Sequence, residues 1–326
     1  MKTLKLAYAD FSRSFDPESF FLTRLLRRTY DIYLVEDDAD LLVYGVFTNN
    51  HKKISAKIKL FYCNENVFPN FSECDYAISA VRLSYANRYF WGFPASQYIS
   101  AKYYDAKPID SSLAHRRFCC FIYKNITHGV GAIMRKHFCE YLMKYRHVDC
   151  PGLVLHNMNA EELADRTDRN WRLSKQNFIS KYKFAIAFEN SDGNGYITEK
   201  LTDAYLSNVV PIYWGSTMDI SPFPKESMIY APDYPTFEAL LQRIKEVDEN
   251  DDLYLDMLRA NPLRNKEFCQ QVGDYRHIRD KFILNVVSSL FDESASLEDW
   301  RSFMFNPPQV FDFIIPRQPR YISPEE

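Results

Sequence analysis

Hydrophobic and polar residues in the first third of the chain alternate mainly with the period of β-strands. Lys2–Ala9 reads as a first strand, and the apolar residues within Glu18–Tyr30 fall on one face of a helix. Four further strands are predicted, at Ile32–Val35, Asp40–Phe47, Ile58–Cys63 and Tyr76–Val81. This succession predicts an α/β fold with an open, mainly parallel sheet.

A second alternation of strand and helix patterns follows a connector at Tyr103–Ser112. Its predicted strands are Arg117–Tyr123, Phe184–Phe188, Val209–Trp214 and Met228–Ala231. Its predicted helices are Ala132–Tyr145, a short helix within residues 170–182, one that begins with Glu199, and then Thr236–Glu249, Asp251–Arg259 and Asp274–Phe291. The chain is therefore divided into a first domain (1–110), a second domain (111–273) and a terminal helix with its tail (274–326), which is predicted to return to the first domain.

One unit of the second domain suggests a ligand. Phe184–Phe188 is a continuous apolar run, as expected of a strand covered on both faces, and Val209–Trp214 is its predicted parallel neighbour. The helix between them has Thr198 as a plausible N-cap and begins with Glu199 and Lys200. A helix N-terminus with an adjacent lysine favours an anion such as a phosphate. The alternative is a capped surface helix, since neither common phosphate-binding glycine motif is present.

Composition narrows the function classes. The 326 residues are 46% hydrophobic and carry a formal net charge of −3, which argues against a broad nucleic-acid surface but allows a small phosphate pocket. The seven cysteines are odd in number and include no Cys-x-x-Cys pair, which favours buried thiols in a reducing cytoplasm. No apolar run is long enough for a signal peptide or a membrane span. We expect a cytoplasmic protein; peripheral attachment to the inner membrane stays open, and no pattern indicates the oligomeric state.

Two groups of residues could be mistaken for metal sites. Asp38 and Asp40 lie in an acidic run between two predicted strands, where a solvated turn is the simpler interpretation. Cys139 and Cys150 have histidines nearby in the sequence, but their spacing fits no standard zinc template. We predict no metal site.

The order of motifs in residues 188–216, "FENS…GYITEKLTDAYLSNVVPIYWGS", resembles that of the α1,3/4-fucosyltransferases, glycosyltransferase family 10. Leu60–Ser79, "LFYCNENVFPNFSECDYAIS", resembles the N-terminal block of the same family, and "RYFWGFP" follows in the expected place. The resemblance extends from about Tyr8 to Leu290 and is closer to the short bacterial members than to Golgi enzymes.

This resemblance implies a GT-B fold, in which two Rossmann-like domains face each other across a cleft. The second domain of such enzymes binds GDP-fucose, and the first mainly receives the acceptor. The expected reaction inverts the anomeric centre of fucose and needs neither a metal nor another cofactor. The expected partners are GDP-fucose and an oligosaccharide acceptor that contains GlcNAc.

The resemblance also assigns candidate residues. Glu65 occupies the position of the general base, although Asn64 stands where the family usually has glycine. The donor-binding candidates are Arg135 and Lys200 for the diphosphate, Glu199 for sugar hydroxyls, and Asn190 and Tyr196 in the donor pocket. Lys136 is a rival for Arg135, and a packing role is the alternative for Tyr196. Because adjacent helical residues point about 100° apart, Glu199 and Lys200 are expected to reach different parts of the donor instead of pairing.

Two other classes of function remain at this stage. One is a GT-B transferase with a different acceptor or an α1,4 linkage. The other is a non-catalytic module that binds a glycan or a nucleotide. A module that only binds has no need of a base at Glu65.

Overall fold

The computed structural model describes residues 1–83, 85, 87–97, 99, 108–125, 127, 129–165 and 167–291. It separates into two compact units. The first contains Met1–Phe93 and the described residues from Asp274 onward, and the second contains Pro94–Gly273. Part of the predicted connector and the whole tail after residue 291 lie outside the described residues.

The first unit is built on a six-stranded parallel sheet with the strand order β2-β1-β3-β4-β5-β6. Its strands are β1 (Lys2–Ala9), β2 (Tyr30–Leu34), β3 (Ala39–Tyr44), β4 (Ala56–Cys63), β5 (Tyr76–Ser79) and β6 (Tyr89–Trp91). Five of them were predicted, and the parallel arrangement is confirmed. The sequence analysis missed β6 because three residues are too few to show a period.

The helix predicted over Glu18–Tyr30 is much shorter in the structure. Helix α1 covers only Phe21–Leu26, and Tyr30 instead starts β2, where it is paired with Lys2 of β1. Phe20, at the N-cap, packs against Tyr8 and Tyr62. Tertiary contacts on both sides therefore override the helical pattern.

The second unit has a five-stranded parallel sheet with the order β11-β10-β9-β7-β8. Its strands are β7 (Arg117–Cys120), β8 (Val148–Asp149), β9 (Tyr182–Phe188), β10 (Val210–Trp214) and β11 (Ile229–Tyr230). The helices are α2 (Val130–Leu142), α3 (Trp171–Ile179), α4 (Glu199–Leu206), α5 (Phe237–Glu249) and α6 (Asp251–Arg259). The sequence analysis missed only the two-residue strand β8.

Strand β9 is the centre of the second unit. All seven of its residues are buried. On one face Phe138 of α2 stacks on Phe188 with 5.3 Å between the ring centroids. On the other face Ala185 belongs to a cluster with Phe178 of α3 and Ala204 of α4. Covering on both faces explains the continuous apolar run, as predicted.

Helix α7 (Lys266–Ser288) begins eight residues earlier than the predicted Asp274. Asn265 accounts for this start, since its Oδ1 accepts hydrogen bonds from the backbone N–H groups of Glu267 and Phe268 at 2.8 and 3.1 Å. Further along, the Tyr275 hydroxyl donates to the carbonyl of Trp91 at 2.5 Å. The return of the terminal helix to the first unit is thus confirmed.

Candidate donor and acceptor sites

A cavity of about 480 Å³ opens beside the carboxyl-terminal halves of β7 and β9 in the second unit. Ligands of open parallel sheets bind at this end of the strands. Four of the predicted donor-binding residues line the cavity: Arg135, Asn190, Glu199 and Lys200. A volume of this size lies within the usual range for small-molecule sites.

Helix α4 begins at the wall of this cavity. The Thr198 hydroxyl caps it by accepting from the backbone N–H of Lys200, and it also accepts a hydrogen bond from Lys200 Nζ at 2.9 Å. The N-cap assignment is confirmed. The capped end presents Glu199 and Lys200 to the cavity, where the positive end of the helix dipole lies.

Glu189 is a completely buried carboxylate beneath that helix end. Its Oε1 accepts a hydrogen bond from the Thr198 backbone N–H at 2.8 Å, and its Oε2 lies 3.1 Å from Lys200 Nζ. Burial raises the pKa of Glu189, and the adjacent Lys200 opposes this shift. Burial lowers the pKa of Lys200, but the two glutamates outweigh it, so the net shift is strongly upward.

The expectation that Glu199 and Lys200 do not pair is wrong for this structure. Lys200 Nζ lies 3.3 Å from Glu199 Oε1 as well as 3.1 Å from Glu189 Oε2. The sequence argument missed the buried Glu189, which draws the lysine ammonium back over the helix end. Burial alone would raise the pKa of Glu199, but Lys200 and then Lys175 bring it down to about 2. Glu199 is therefore ionised at neutral pH.

Arg135 places a second cation at the cavity, and this one is buried. Only 2% of the residue is exposed, and its guanidinium carbon lies 3.9 Å from the centroid of the Tyr123 ring. Its terminal nitrogens donate to the carbonyls of Asn125 at 2.5 Å and Phe188 at 3.4 Å. Its Nε has no hydrogen-bond partner among the described residues. Burial lowers the pKa of Arg135, yet an arginine remains charged, and no carboxylate within salt-bridge distance in the described structure neutralises it.

The rival Lys136 lies away from this cavity, since its ammonium pairs with Glu140 at 2.5 Å on the outer side of α2. The cavity is lined by Arg135 and not by Lys136. Geometry therefore favours Arg135 as the anion-binding residue of this helix.

Tyr196 is not among the residues that line the cavity. It is 2% exposed, and its hydroxyl donates to Asn190 Oδ1 at 3.1 Å. Asn190 itself lines the cavity. Tyr196 can thus orient the amide of Asn190, while direct contact between Tyr196 and a donor stays a prediction.

The sequence analysis missed a charged pair that forms another wall. Lys175 of α3 lines the cavity and lies 2.8 Å from Oδ2 of Asp203, which is 1% exposed. Gln176 also donates to Asp203, at 3.3 Å. The sequence offered no signal for this pair, because Asp203 falls opposite the sheet-facing Leu201 and Ala204 at helical spacing, where an exposed carboxylate is expected.

Glu65 lies in the first unit, in the turn that follows β4. Its backbone N–H donates to Cys63 Sγ at 3.3 Å, and its carbonyl accepts from the Val67 N–H at 2.8 Å. The side chain is exposed. The backbone of Asn64 does not have a positive φ. The asparagine that replaces the family's usual glycine therefore causes no backbone strain. The turn therefore presents a carboxylate at the edge of the sheet where ligands bind.

Both units of the chain match models of one protein family. The model for the C-terminal part of glycosyltransferase family 10 (fucosyltransferase) matches residues 114–269, and the model for the N-terminal domain of α-(1,3)-fucosyltransferase FucT matches residues 6–98. The chain belongs to glycosyltransferase family 10. The two matches together span both units, so the family assignment does not depend on one motif.

Individual relatives agree with this family assignment. The chain is 26% identical to the α-(1,3)-fucosyltransferase FucT of Helicobacter pylori over 304 residues, which are 84% of this chain and 62% of that protein. It is 33% identical to α-(1,3)-fucosyltransferase B of Drosophila melanogaster over 156 residues, 45% of this chain and 35% of that protein. The chain thus spans less than two thirds of the length of these relatives.

The fold of this family 10 chain is also that of a solved relative. A crystal structure of an α1,3-fucosyltransferase with GDP superposes with a TM-score of 0.63 and 25% identity, and covers 90% of this chain and 92% of that chain. The chain therefore has the predicted GT-B fold, with two parallel α/β units. Among the described residues, no helix is long and apolar enough to cross a membrane.

Proposed function

We propose that this family 10 chain is an inverting α1,3-fucosyltransferase. It transfers L-fucose from GDP-β-L-fucose to the GlcNAc of a Galβ1-4GlcNAc acceptor, giving a Lewis-x-like product. The observation that carries this proposal is the cavity of the second unit, which is lined by Arg135 of α2 and by Glu199 and Lys200 at the start of α4. The names of the relatives support the donor and the linkage.

The donor chemistry follows from these charges. GDP carries two phosphates whose negative charge grows as the bond to fucose breaks, so cations aimed at them stabilise the transition state more than the ground state. Arg135 is buried without a carboxylate partner in the described structure, and Lys200 lines the same cavity. The ionised Glu199 can accept hydrogen bonds from neutral hydroxyls of the donor.

The acceptor chemistry requires a base. In a single displacement Glu65 takes the proton of the acceptor hydroxyl, the hydroxyl oxygen forms a bond to C1 of fucose, and the C1–O bond to the β-phosphate breaks with its electron pair leaving on GDP. Attack from the face opposite GDP converts the β-linkage into an α-linkage. The exposed side chain of Glu65 at the end of β4 suits this role.

Calorimetry separates this proposal from its rivals. A fucosyltransferase should bind GDP and GDP-fucose, and Arg135→Gln should weaken GDP binding by about 10-fold or more, since one charge-assisted interaction with phosphate is lost. Lys136→Gln, which removes the same charge outside the cavity, should bind GDP normally. Binding of oligosaccharide without any binding of GDP would instead show a glycan-binding module, and UDP binding in place of GDP would show another transferase.

A further inference from the structure

The cavity of the second unit extends beyond the residues assigned to the diphosphate and the sugar hydroxyls. Its lining also includes Lys175 and Ile179 of α3 and Asp203 and Ala204 of α4. Because a helix rises about 1.5 Å per residue, Asp203 lies about 6 Å along α4 from Glu199. In a nucleotide the base is joined to the ribose on the side away from the phosphates. This further part of the cavity is therefore where a base bound through its ribose at Glu199 would lie.

The walls of this part of the cavity are apolar and built from small side chains. Cys120 of β7, Ala185 of β9 and Ala204 of α4 line the cavity and belong to one buried cluster. Small side chains leave space beside them for a flat ring, and an apolar surface stabilises the face of that ring. Such contacts do not distinguish one base from another, since every base has a π-face. Selection among bases needs a polar group at the edge of the ring.

Lys175 brings a cation to this part of the cavity. Its Nζ lies 2.8 Å from Oδ2 of Asp203, and its side chain is 15% exposed. Two more residues of α3 approach the other oxygen of the same carboxylate, Gln176 at 3.3 Å and Arg172 at 3.6 Å. Asp203 is thus fixed by α3 and in turn fixes the position of the ammonium group.

The ammonium of Lys175 still has donors for a ligand. Among the described residues its Nζ makes no hydrogen bond except the one to Asp203. Because an ammonium has three N–H groups, two remain. The charge also acts on the ribose side of the cavity, since the pKa of Glu199, which burial raises and Lys200 lowers most, is lowered further by Lys175.

A cation at the edge of a purine distinguishes guanine from adenine. Guanine presents two adjacent acceptors there, O6 and N7, whereas adenine presents a donating amino group beside N7. The ammonium of Lys175 can donate to both guanine atoms, but it would face the amino group of adenine without a bond. A buried polar group that is left unpaired makes discrimination of this kind strong.

We propose that Lys175 is a specificity-determining residue that donates to O6 and N7 of the guanine of the donor, and that Asp203 positions it. This inference rests on the proposed function, which makes a guanine nucleotide the donor. It adds a base-reading residue to the assigned diphosphate and hydroxyl contacts of the same cavity.

The test compares GDP with the 5′-diphosphate of 2-aminopurine riboside, in which hydrogen replaces O6, by calorimetry on the full chain. The unaltered chain should bind GDP about 10-fold or more tightly than this analogue, the effect of one charge-assisted hydrogen bond. Lys175→Met removes the ammonium, keeps an apolar stem, and should bind the two nucleotides equally. Lys181→Met, which breaks an exposed pair with Glu162 outside the cavity, should keep the preference.

The unaltered chain alone can overturn the assignment, because equal affinity for the two nucleotides would show that O6 is not read. A preference that survives Lys175→Met, or that is lost to the same extent in Lys181→Met, would overturn it as well. Fucose transfer from GDP-fucose is measured in parallel. The predicted preference without any transfer would refute the proposed function and leave the base-reading role standing, whereas transfer without the preference would refute only the role of Lys175. Binding of neither nucleotide would refute both.

Discussion

At the scale of single residues, the proposed base is the first assignment to test. Glu65→Gln keeps the shape of the side chain but removes its ability to take a proton. We expect turnover with GDP-fucose to fall by about 100-fold or more, because general bases contribute factors of this size. GDP binding by calorimetry should stay unchanged, since Glu65 lies in the first unit. The exposed Glu161→Gln is the matched control, and normal turnover of Glu65→Gln would refute the assignment.

The ionisation of Glu199 predicts a pH effect on stability. Its pKa is lowered to about 2 in the folded chain, whereas that of an unfolded glutamate is about 4.3. The stabilisation is therefore complete above the unfolded pKa and is lost as the pH falls toward 2. Glu199→Gln should flatten the dependence of unfolding free energy on pH in this range, measured by urea titration. A slope as steep as that of the unaltered chain would contradict the ion pairs seen here.

Lys200 is also predicted to stabilise the folded chain. Removing its charge with Lys200→Met leaves Glu189 buried without a counter-ion, and we expect the free energy of unfolding to drop by about 3–5 kcal/mol. Lys225→Met, which breaks an exposed pair with Asp233, should cost less than about 1 kcal/mol.

A double variant tests whether Glu189 and Lys200 depend on each other for stability. Adding Glu189→Gln to Lys200→Met should recover much of the lost stability in urea unfolding, because no buried carboxylate then lacks a partner. Lack of any recovery would mean that Glu189 and Lys200 are not coupled. Lys200 thus has two roles in this account, one toward the fold and one toward the donor.

At the scale of elements, two glycines make a matched pair. The start of α2 lies against the end of β9, where the Gly131 N–H donates to the Asn190 carbonyl at 3.0 Å. A Cβ on Gly131 would lie 2.2 Å from the Glu189 carbonyl oxygen and 2.5 Å from the Trp214 ring, whereas one on Gly273 of α7 would meet nothing within 4 Å.

Alanine at these two positions should therefore act in opposite directions. Gly131→Ala is expected to lower the free energy of unfolding by about 1–3 kcal/mol, because the helix must move from the strand. Gly273→Ala should raise it by about 0.5–1 kcal/mol through helix propensity alone. Thermal unfolding of both variants decides this, and stabilisation by Gly131→Ala would contradict the close packing of α2 on β9.

Elements in the second unit were predicted well because their patterns agree with their packing. The run at β9 is covered on both faces, and α6 starts and ends at the predicted residues Asp251 and Arg259. The helix of the first unit was harder to predict. The helical pattern of Glu18–Tyr30 competes with the pairing of Tyr30 to Lys2 in the sheet, a contact that no local pattern reveals.

The residues of the candidate site were also predicted only in part. The motif around Thr198 predicted a helix N-terminus correctly, and Arg135, Asn190, Glu199 and Lys200 do line one cavity. The buried Glu189 was overlooked although it stands in the recognised motif. Its effect on Lys200 depends on a three-dimensional neighbourhood, so the pairing of Lys200 with Glu199 could not be read from the sequence.

At the scale of the whole molecule, the family match covers both units, yet each unit is proposed to contribute a different part of the reaction. The cations of the second unit are assigned to the donor, and the carboxylate of the first unit to the acceptor. Within the described residues, no group of three or more potential metal ligands is assembled. Arg135 and Lys200 line the cavity assigned to the donor, so we expect these side chains to stabilise the diphosphate and transfer to need no metal ion.

The product formed from GDP-fucose shows whether this chain transfers fucose and to which position. The chain is incubated with GDP-fucose and N-acetyllactosamine in excess EDTA, and the product is examined by NMR for linkage and anomeric configuration. We predict fucose in α-linkage to O3 of GlcNAc, formed at the same rate with and without EDTA. A β-linked product, transfer that requires added metal, or release of free fucose without any transfer would contradict it.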